Sequence, residues 1–120
     1  MKENVIQDKS YAFALRIVHL YRWLCEEKKE YVLSRQILRS GTSIGANIEE
    51  AIGGQSGKDF HSKLSIAYKE SRETRYWLRL LHDAELIGDS AHRSILADCE
   101  ELMKILSSIT KTMKTKINNS

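Results

Sequence analysis

Proline is absent from the 120 residues, where average usage of about 5% would supply roughly six. Glycine is scarce as well: of six, five fall between Gly41 and Gly57. Met1–Ser40, Lys58–Ile87 and Asp89–Ser120 therefore contain neither residue. A chain built of many strands and turns spends both, so collagen, most sandwiches and barrels and a Rossmann unit are excluded. Cysteine is limited to Cys25 and Cys99, too far apart for CxxC or zinc-ligand spacing, which points to a reduced, intracellular protein. No long apolar run exists. The longest uncharged stretch, Ser40–Ile48, carries Ser, Thr, Gly and Asn, so no membrane span is expected. No apolar run follows Met1-Lys2-Glu3-Asn4, so no signal peptide is read, and a cytoplasmic location is expected. Charge of one sign is also modest, at +3. From Ile105 to Ser120 there are three lysines and no acid, which suits a helix C-terminus.

Hydrophobic residues make up 42% and charged residues 29%, enough for one folded domain over residues 1–120. Apolar periodicity predicts four helices, about 4–28, 32–52, 57–87 and 90–116. Phe13, Ile17, Leu20 and Leu24 line the first, with Ile6 before them. Leu33, Ile37, Ile44, Ile48 and Ile52 line the second, and Gly41 and Gly45 share that face. Two glycines four apart weaken a helix by about 1 kcal/mol each, so they suggest close approach of a neighbour. Gly53 to Gly57 ends the second helix. Ser56, with Asp59 three residues on, reads as a capping box for the third. Phe60, Ala67, Ser71, Thr74, Leu78 and Leu81 form the third stripe, which Gly88 stops. Asp89 or Ser90 caps the fourth, whose stripe is Ile95, Cys99, Leu102, Leu106, Ile109 and Met113. Long helices with short links pack antiparallel, so the expected fold is an all-α, up-down-up-down four-helix bundle.

The third helix has two further sectors. Ile66, Trp77, Leu80 and Ala84 form a second apolar stripe, with Glu70 and Glu73 beside it. Together with a flank of Tyr11, Leu15, Val18 and Cys25 on the first helix, it predicts self-association. The alternative is one wide buried face on a central helix. The other sector carries Lys58, Lys69, Arg72, Arg75 and Arg79, with Tyr68 and Tyr76 among them. Such cations could hold phosphates while the rings stack bases. They could equally form a solvated face, paired with Glu70, Glu73 or Asp83.

Patterns of catalysis are missing. There is no Glu-x-x-His, HxxxH or HExxH; the nearest metal pattern is a single Asp89-x-x-His92. Ser40-Gly41-Thr42-Ser43-Ile44-Gly45 lacks the Gly-Lys-Ser/Thr ending of a phosphate loop. Cys25 and Cys99 lie on apolar stripes and read as packing thiols. No cofactor, metal site or catalytic residue is assigned, and a non-enzymatic protein is expected. Asn47 flanks the second stripe and reads as an orienting amide, bonded to Glu50 or to a neighbouring helix.

Ser43-Ile44-Gly45-Ala46-Asn47-Ile48-Glu49-Glu50-Ala51 resembles the Ser-Ile-x-x-Asn-Ile-x-Glu segment of the bacterial 23S rRNA intervening-sequence protein family, also called four helix bundle proteins. Lys63 to Thr74 and Tyr76-Trp77-Leu78-Arg79-Leu80-Leu81 resemble its third-helix pattern. Gly45 stands where many relatives carry proline. The resemblance implies an antiparallel four-helix bundle assembled as a five-subunit ring. Some members are encoded within 23S rRNA genes, and a related branch forms basic pentamers that bind nucleic acid and a reverse transcriptase. The expected function is an oligomeric bundle that binds structured RNA or an RNA–protein complex. Lys58, Arg72, Arg75 and Arg79 would make the phosphate contacts, and Ile66, Trp77, Leu80 and Ala84 the oligomer interface. The alternative is a structural or protein-interaction scaffold without nucleic-acid affinity.

Overall fold

The computed structural model describes residues 2–54 and 56–119, with side chains from Val5 onward. Met1, Gln55 (within the predicted glycine-rich break), Ser120 and the side chains of residues 2–4 lie outside the described residues. Four helices follow in order: α1 Lys2–Glu27, α2 Leu33–Ile52, α3 Gly57–Asp83 and α4 Asp89–Asn118. They pack as an all-α four-helix bundle 51 Å long and 23 by 21 Å across. α2 packs closely on α1 and α3, and α3 on α4, while the α1–α4 seam is the loosest.

The α1–α2 break has no glycine or proline. Lys29 takes a left-handed conformation (φ 54°), and the Glu30 N–H reaches back to the Leu24 carbonyl at 3.1 Å. Glu30 then starts α2. Its carboxylate accepts the N–H groups of Val32, Leu33 and Ser34 at 3.1, 3.0 and 2.7 Å. Burial alone would raise its pKa, but these donors outweigh it and hold the carboxyl below its ordinary value. The capping role is thus filled by a glutamate three residues before the helix.

α3 begins as its sequence predicts: the Ser56 hydroxyl accepts the Asp59 N–H at 3.1 Å. Its end is a correction. α3 stops at Asp83, not near Ile87, and Gly88 is not the stop. Glu85 adopts φ 63°, the Leu86 N–H bonds the Leu81 carbonyl and the Glu85 N–H that of His82, both at 2.9 Å. These two bonds make a Schellman motif with glutamate at the left-handed position. The strain of about 1–2 kcal/mol is offset by the turn, which packs Leu86 against the core and leaves Ile87 6% exposed. Gly88, in extended conformation, is the N-cap of α4 without a side-chain bond, so neither Asp89 nor Ser90 caps it. Asp89 is engaged elsewhere.

The core is built largely from the predicted stripes. Phe13, Ile17 and Leu24 of α1, Ile37, Ile44 and Ile48 of α2, and Leu78 and Leu81 of α3 are sealed, with Cys99, Leu102 and Leu106 of α4. Leu64 joins them, although its place in the α3 stripe was not predicted, and Ile52, predicted inside, is exposed. Gly41 lies under Ile17. A Cβ there would sit 2.7 and 2.9 Å from the Ile17 Cγ atoms, so the close helix approach has a specific cause. Buried hydroxyls are bonded within α3 or across to α2, whereas the Nδ1 of buried His92 has no partner among the described residues. The Thr74 hydroxyl lies 2.9 Å from that of Ser40 and 2.8 Å from the Glu70 carbonyl, and the Ser71 hydroxyl donates to Tyr68 at 2.6 Å. Asn47 donates to the Ser43 carbonyl of its own helix at 2.9 Å, so it does not orient a neighbour as expected.

Candidate nucleic-acid and oligomer interfaces

Successive turns of α3 place Arg72, Arg75, Arg79 and Asp83 in that order along the helix. α4 runs antiparallel beside it and sets His92 near Asp83 and Glu100 near Arg75. Arg75, Arg79, Asp83, His92, Leu96 and Glu100 together line an open groove of about 530 Å³. Arg75 Nη1 is 3.8 Å from Glu100, an ion pair too long for a hydrogen bond. Among the described residues, Arg72 and Arg79 form no ion pair. Lys58 stands apart. It lies in the first turn of α3, and 21 residues of helix at about 1.5 Å each put it roughly 31 Å from Arg79. Sequence spacing grouped it with the arginines; the fold does not.

Four cations at the other seams meet close carboxylates. Lys9 meets Glu101 at 3.2 Å and Arg16 meets Asp98 at 2.6 Å between α1 and α4. Lys63 meets Glu50 at 2.9 Å between α3 and α2. Glu70 and Glu73, weighed above as partners of the α3 arginines, are instead held by Arg39 of α2, Glu70 at 3.2 Å and Glu73 through a close ion pair. Nothing in the local spacing of Arg39 revealed this, because its partners lie 31 and 34 residues away. Both glutamates lie roughly 100° or more around α3 from Arg72, Arg75 and Arg79, so they face α2 and not the arginine side.

The apolar stripe is partly covered. Ile66 is 39% exposed, and Trp77 and Leu80 are half-buried. The Trp77 N–H donates to Glu73 Oε2 at 2.9 Å, and its ring meets Tyr76 edge-on at 5.0 Å. The Trp77 bond, joined by Arg39, holds the Glu73 carboxyl below its ordinary pKa. Ala84 is exposed but lies at the C-cap of α3, past the last helical turn, so the helical stripe ends at Leu80. On α1, Tyr11 is 69% and Leu15 49% exposed, while Val18 and Cys25 are half-buried.

The α3–α4 corner holds a feature that sequence reasoning missed. His82 and His92 stack in parallel, centroids 4.2 Å apart and planes 8° from coplanar. His82 Nε2 is 2.6 Å from Asp89 and Nδ1 3.4 Å from Asp83. The Asp89 hydrogen bond raises the His82 pKa above its ordinary value, and its counterpart lowers that of Asp89. His92 is pushed down, first by burial and then by the His82 charge, against weaker pulls from Asp83, Asp89 and Glu100. Asp89 thus serves His82, not a metal with His92. Among the described residues, no group of three or more His, Cys, Asp or Glu could hold a metal ion. Cys99 donates to the Ser71 carbonyl at 3.4 Å, and burial pushes its thiol up to about 12, so it is not a nucleophile. Among the described residues, no helix is long and apolar enough to cross a membrane.

The histidine pair gives a stability signature. A raised pKa stabilises the fold below the unfolded value and loses that contribution as pH rises through the folded value. His82 therefore supports the corner at low pH and releases it above about 6.5. His92 does the reverse: its support is present above about 6.5 and is lost as pH falls through its lowered value. Urea denaturation from pH 5 to 8 should show the alkaline loss shrinking in His82→Gln and the acid loss shrinking in His92→Phe. Unchanged pH profiles in both variants would contradict the stacked pair.

No curated protein matches the chain. A crystal structure from Bacteroides thetaiotaomicron VPI-5482, of a protein with unknown function from the S23 ribosomal protein family, superposes with a TM-score of 0.90. It is 57% identical, and the match covers 92% of this chain and 99% of that one. The sequence profile of the 23S rRNA-intervening sequence protein matches residues 2–108, and this chain belongs to that family.

Proposed function

We propose that the protein is a self-associating, non-enzymatic helical bundle that binds structured RNA through the α3–α4 side, with Arg72, Arg75 and Arg79 as its phosphate contacts. The observation that carries this reading is the charge imbalance: three arginines within about two turns meet one loose carboxylate, while Lys9, Arg16, Arg39 and Lys63 each meet a close one. Lys58, remote from the groove, would contact RNA only at a separate point. Binding of a fluorescent structured RNA should weaken steeply with salt, with a log–log slope of several units. Absence of binding at low salt would overturn the RNA reading and leave a scaffold for protein partners.

Association supports the same reading, because each added subunit repeats a modest basic patch. The α1 flank and the α3 stripe are different surfaces, so a contact between them is head-to-tail and closes a ring when the rotation allows. A ring of five is the assembly the family resemblance implies. Light scattering should then give about 69 kDa for five copies of the 13.8 kDa chain. Trp77→Ala or Leu80→Asp should lower that mass. The same mass in both variants would remove the α3 stripe from the interface.

A further inference from the structure

Along the α3–α4 groove Arg79 stands in the middle, with Arg75 and Glu100 at one end and Asp83 and His92 at the other. Arg79 lies between, one turn from Asp83 on one side and one turn from Arg75 on the other. Asp83 closes the end near His92, and Glu100 the end beside Arg75. An RNA backbone running lengthwise would press its neighbouring phosphates against these carboxylates, and like charges brought together in this way repel. The helices wall the sides. One phosphate is therefore accommodated, and its two neighbours along the chain are not.

A carboxylate that rejects a second phosphate accepts a hydroxyl. The terminal nucleotide of an RNA offers both parts: a phosphate monoester of about −1.5 to −2 charge with a neighbouring phosphate on one side only, and a ribose 2′-hydroxyl within the same residue. Arg79 has its donors unspent among the described residues, and those of Arg75 are unspent by hydrogen bonds. His92 supplies another donor. It is 9% exposed, and its Nδ1 is sealed from solvent without a partner. A buried lone pair left unpaired is tolerated better than a buried N–H. The neutral ring therefore carries its proton on Nε2, the nitrogen that is not sealed.

From this arrangement we infer that the groove is a seat for the terminal phosphate of an RNA strand, held by Arg75, Arg79 and His92, with the terminal ribose 2′-hydroxyl on Asp83 or Glu100 and the rest of the strand leaving through the open side. The inference rests on the RNA reading above and adds the part of the RNA that is recognised.

The test uses one hairpin RNA, labelled internally, in three forms: 5′-phosphate, 3′-phosphate, and hydroxyl at both ends. Either phosphorylated form should bind about tenfold more tightly than the hydroxyl form, and which one does so identifies the end. The preference should vanish in Arg79→Gln, whose side chain is exposed, so that the fold survives the change. The double variant Asp83→Asn and Glu100→Gln should instead raise affinity for the hydroxyl-ended RNA, because internal phosphates then fit. Equal, salt-sensitive binding of all three forms would overturn the end seat and leave the RNA reading standing. A preference that persists in Arg79→Gln would place the seat elsewhere and overturn the assignment. No binding of any form at low salt would overturn both.

Discussion

Gly41→Val should destabilise the protein by about 3 kcal/mol or more, a shift of over a hundredfold in the folding equilibrium. A Cβ at this position lies 2.7 Å from Ile17 Cγ1, 2.9 Å from Cγ2 and 3.2 Å from Cβ. These atoms are near the backbone of a fully buried residue, so they cannot swing away. Gly41→Ala removes a helix penalty of about 1 kcal/mol, yet overpacking of about 1–3 kcal/mol should still leave it less stable. Gly45, one turn on, has the opposite expectation. Its added Cβ would meet Ser10 at 3.5 Å, an ordinary contact. Gly45→Ala should therefore raise stability by up to about 1 kcal/mol. Ile17→Ala alone should lose about 3 kcal/mol and should lose much less when combined with Gly41→Val, because it clears the clash. Urea midpoints measure all five variants. Equal effects at the two glycines would show that the close approach at Gly41 is not what holds α1 against α2.

Converting Arg72, Arg75 and Arg79 together to Gln should weaken binding of structured RNA by about a hundredfold or more at low salt. It should also reduce the salt slope by about 0.9 for each phosphate that the protein no longer neutralises. The fold should be unaffected. Arg72 and Arg79 form no ion pair among the described residues, and Arg75 has only the 3.8 Å contact with Glu100. An exposed pair of that kind is worth about 0–1 kcal/mol. Arg39→Gln is the informative contrast. It removes the cation that holds Glu70 and Glu73, two carboxylates on the face of α3 turned away from the arginines. RNA affinity should therefore change far less than in the triple variant. If the triple variant kept wild-type affinity and slope, the phosphate contacts would lie on other elements, and the α3–α4 assignment would fail.

Four helices, most of their inward faces and the all-α bundle can be read from the chain alone, although Leu64 is missed and Ile52 is exposed. These features follow from patterns repeating every three or four residues, and one helical turn is enough to read them. The Ser56 cap was legible for the same reason, since donor and acceptor are three residues apart. The end of α3 was not. Left-handed Glu85 is sustained by the Leu86–Ile87 turn against the core, an advantage that exists only once the bundle is assembled. Nor was Asp89, which looks like a helix cap in one dimension and serves His82 in three.

Charge partners were decided entirely by the tertiary structure. Long side chains choose among neighbours on adjacent helices, and those neighbours are tens of residues away along the chain. Arg39 reaches from α2 to α3 and takes Glu70 and Glu73, which no reading of local spacing assigns to it. Lys58 shares the composition of that side but not its place. Helix length separates it from the groove, and only the packing of α4 against the far end of α3 brings Asp83, His92 and Glu100 to Arg75 and Arg79.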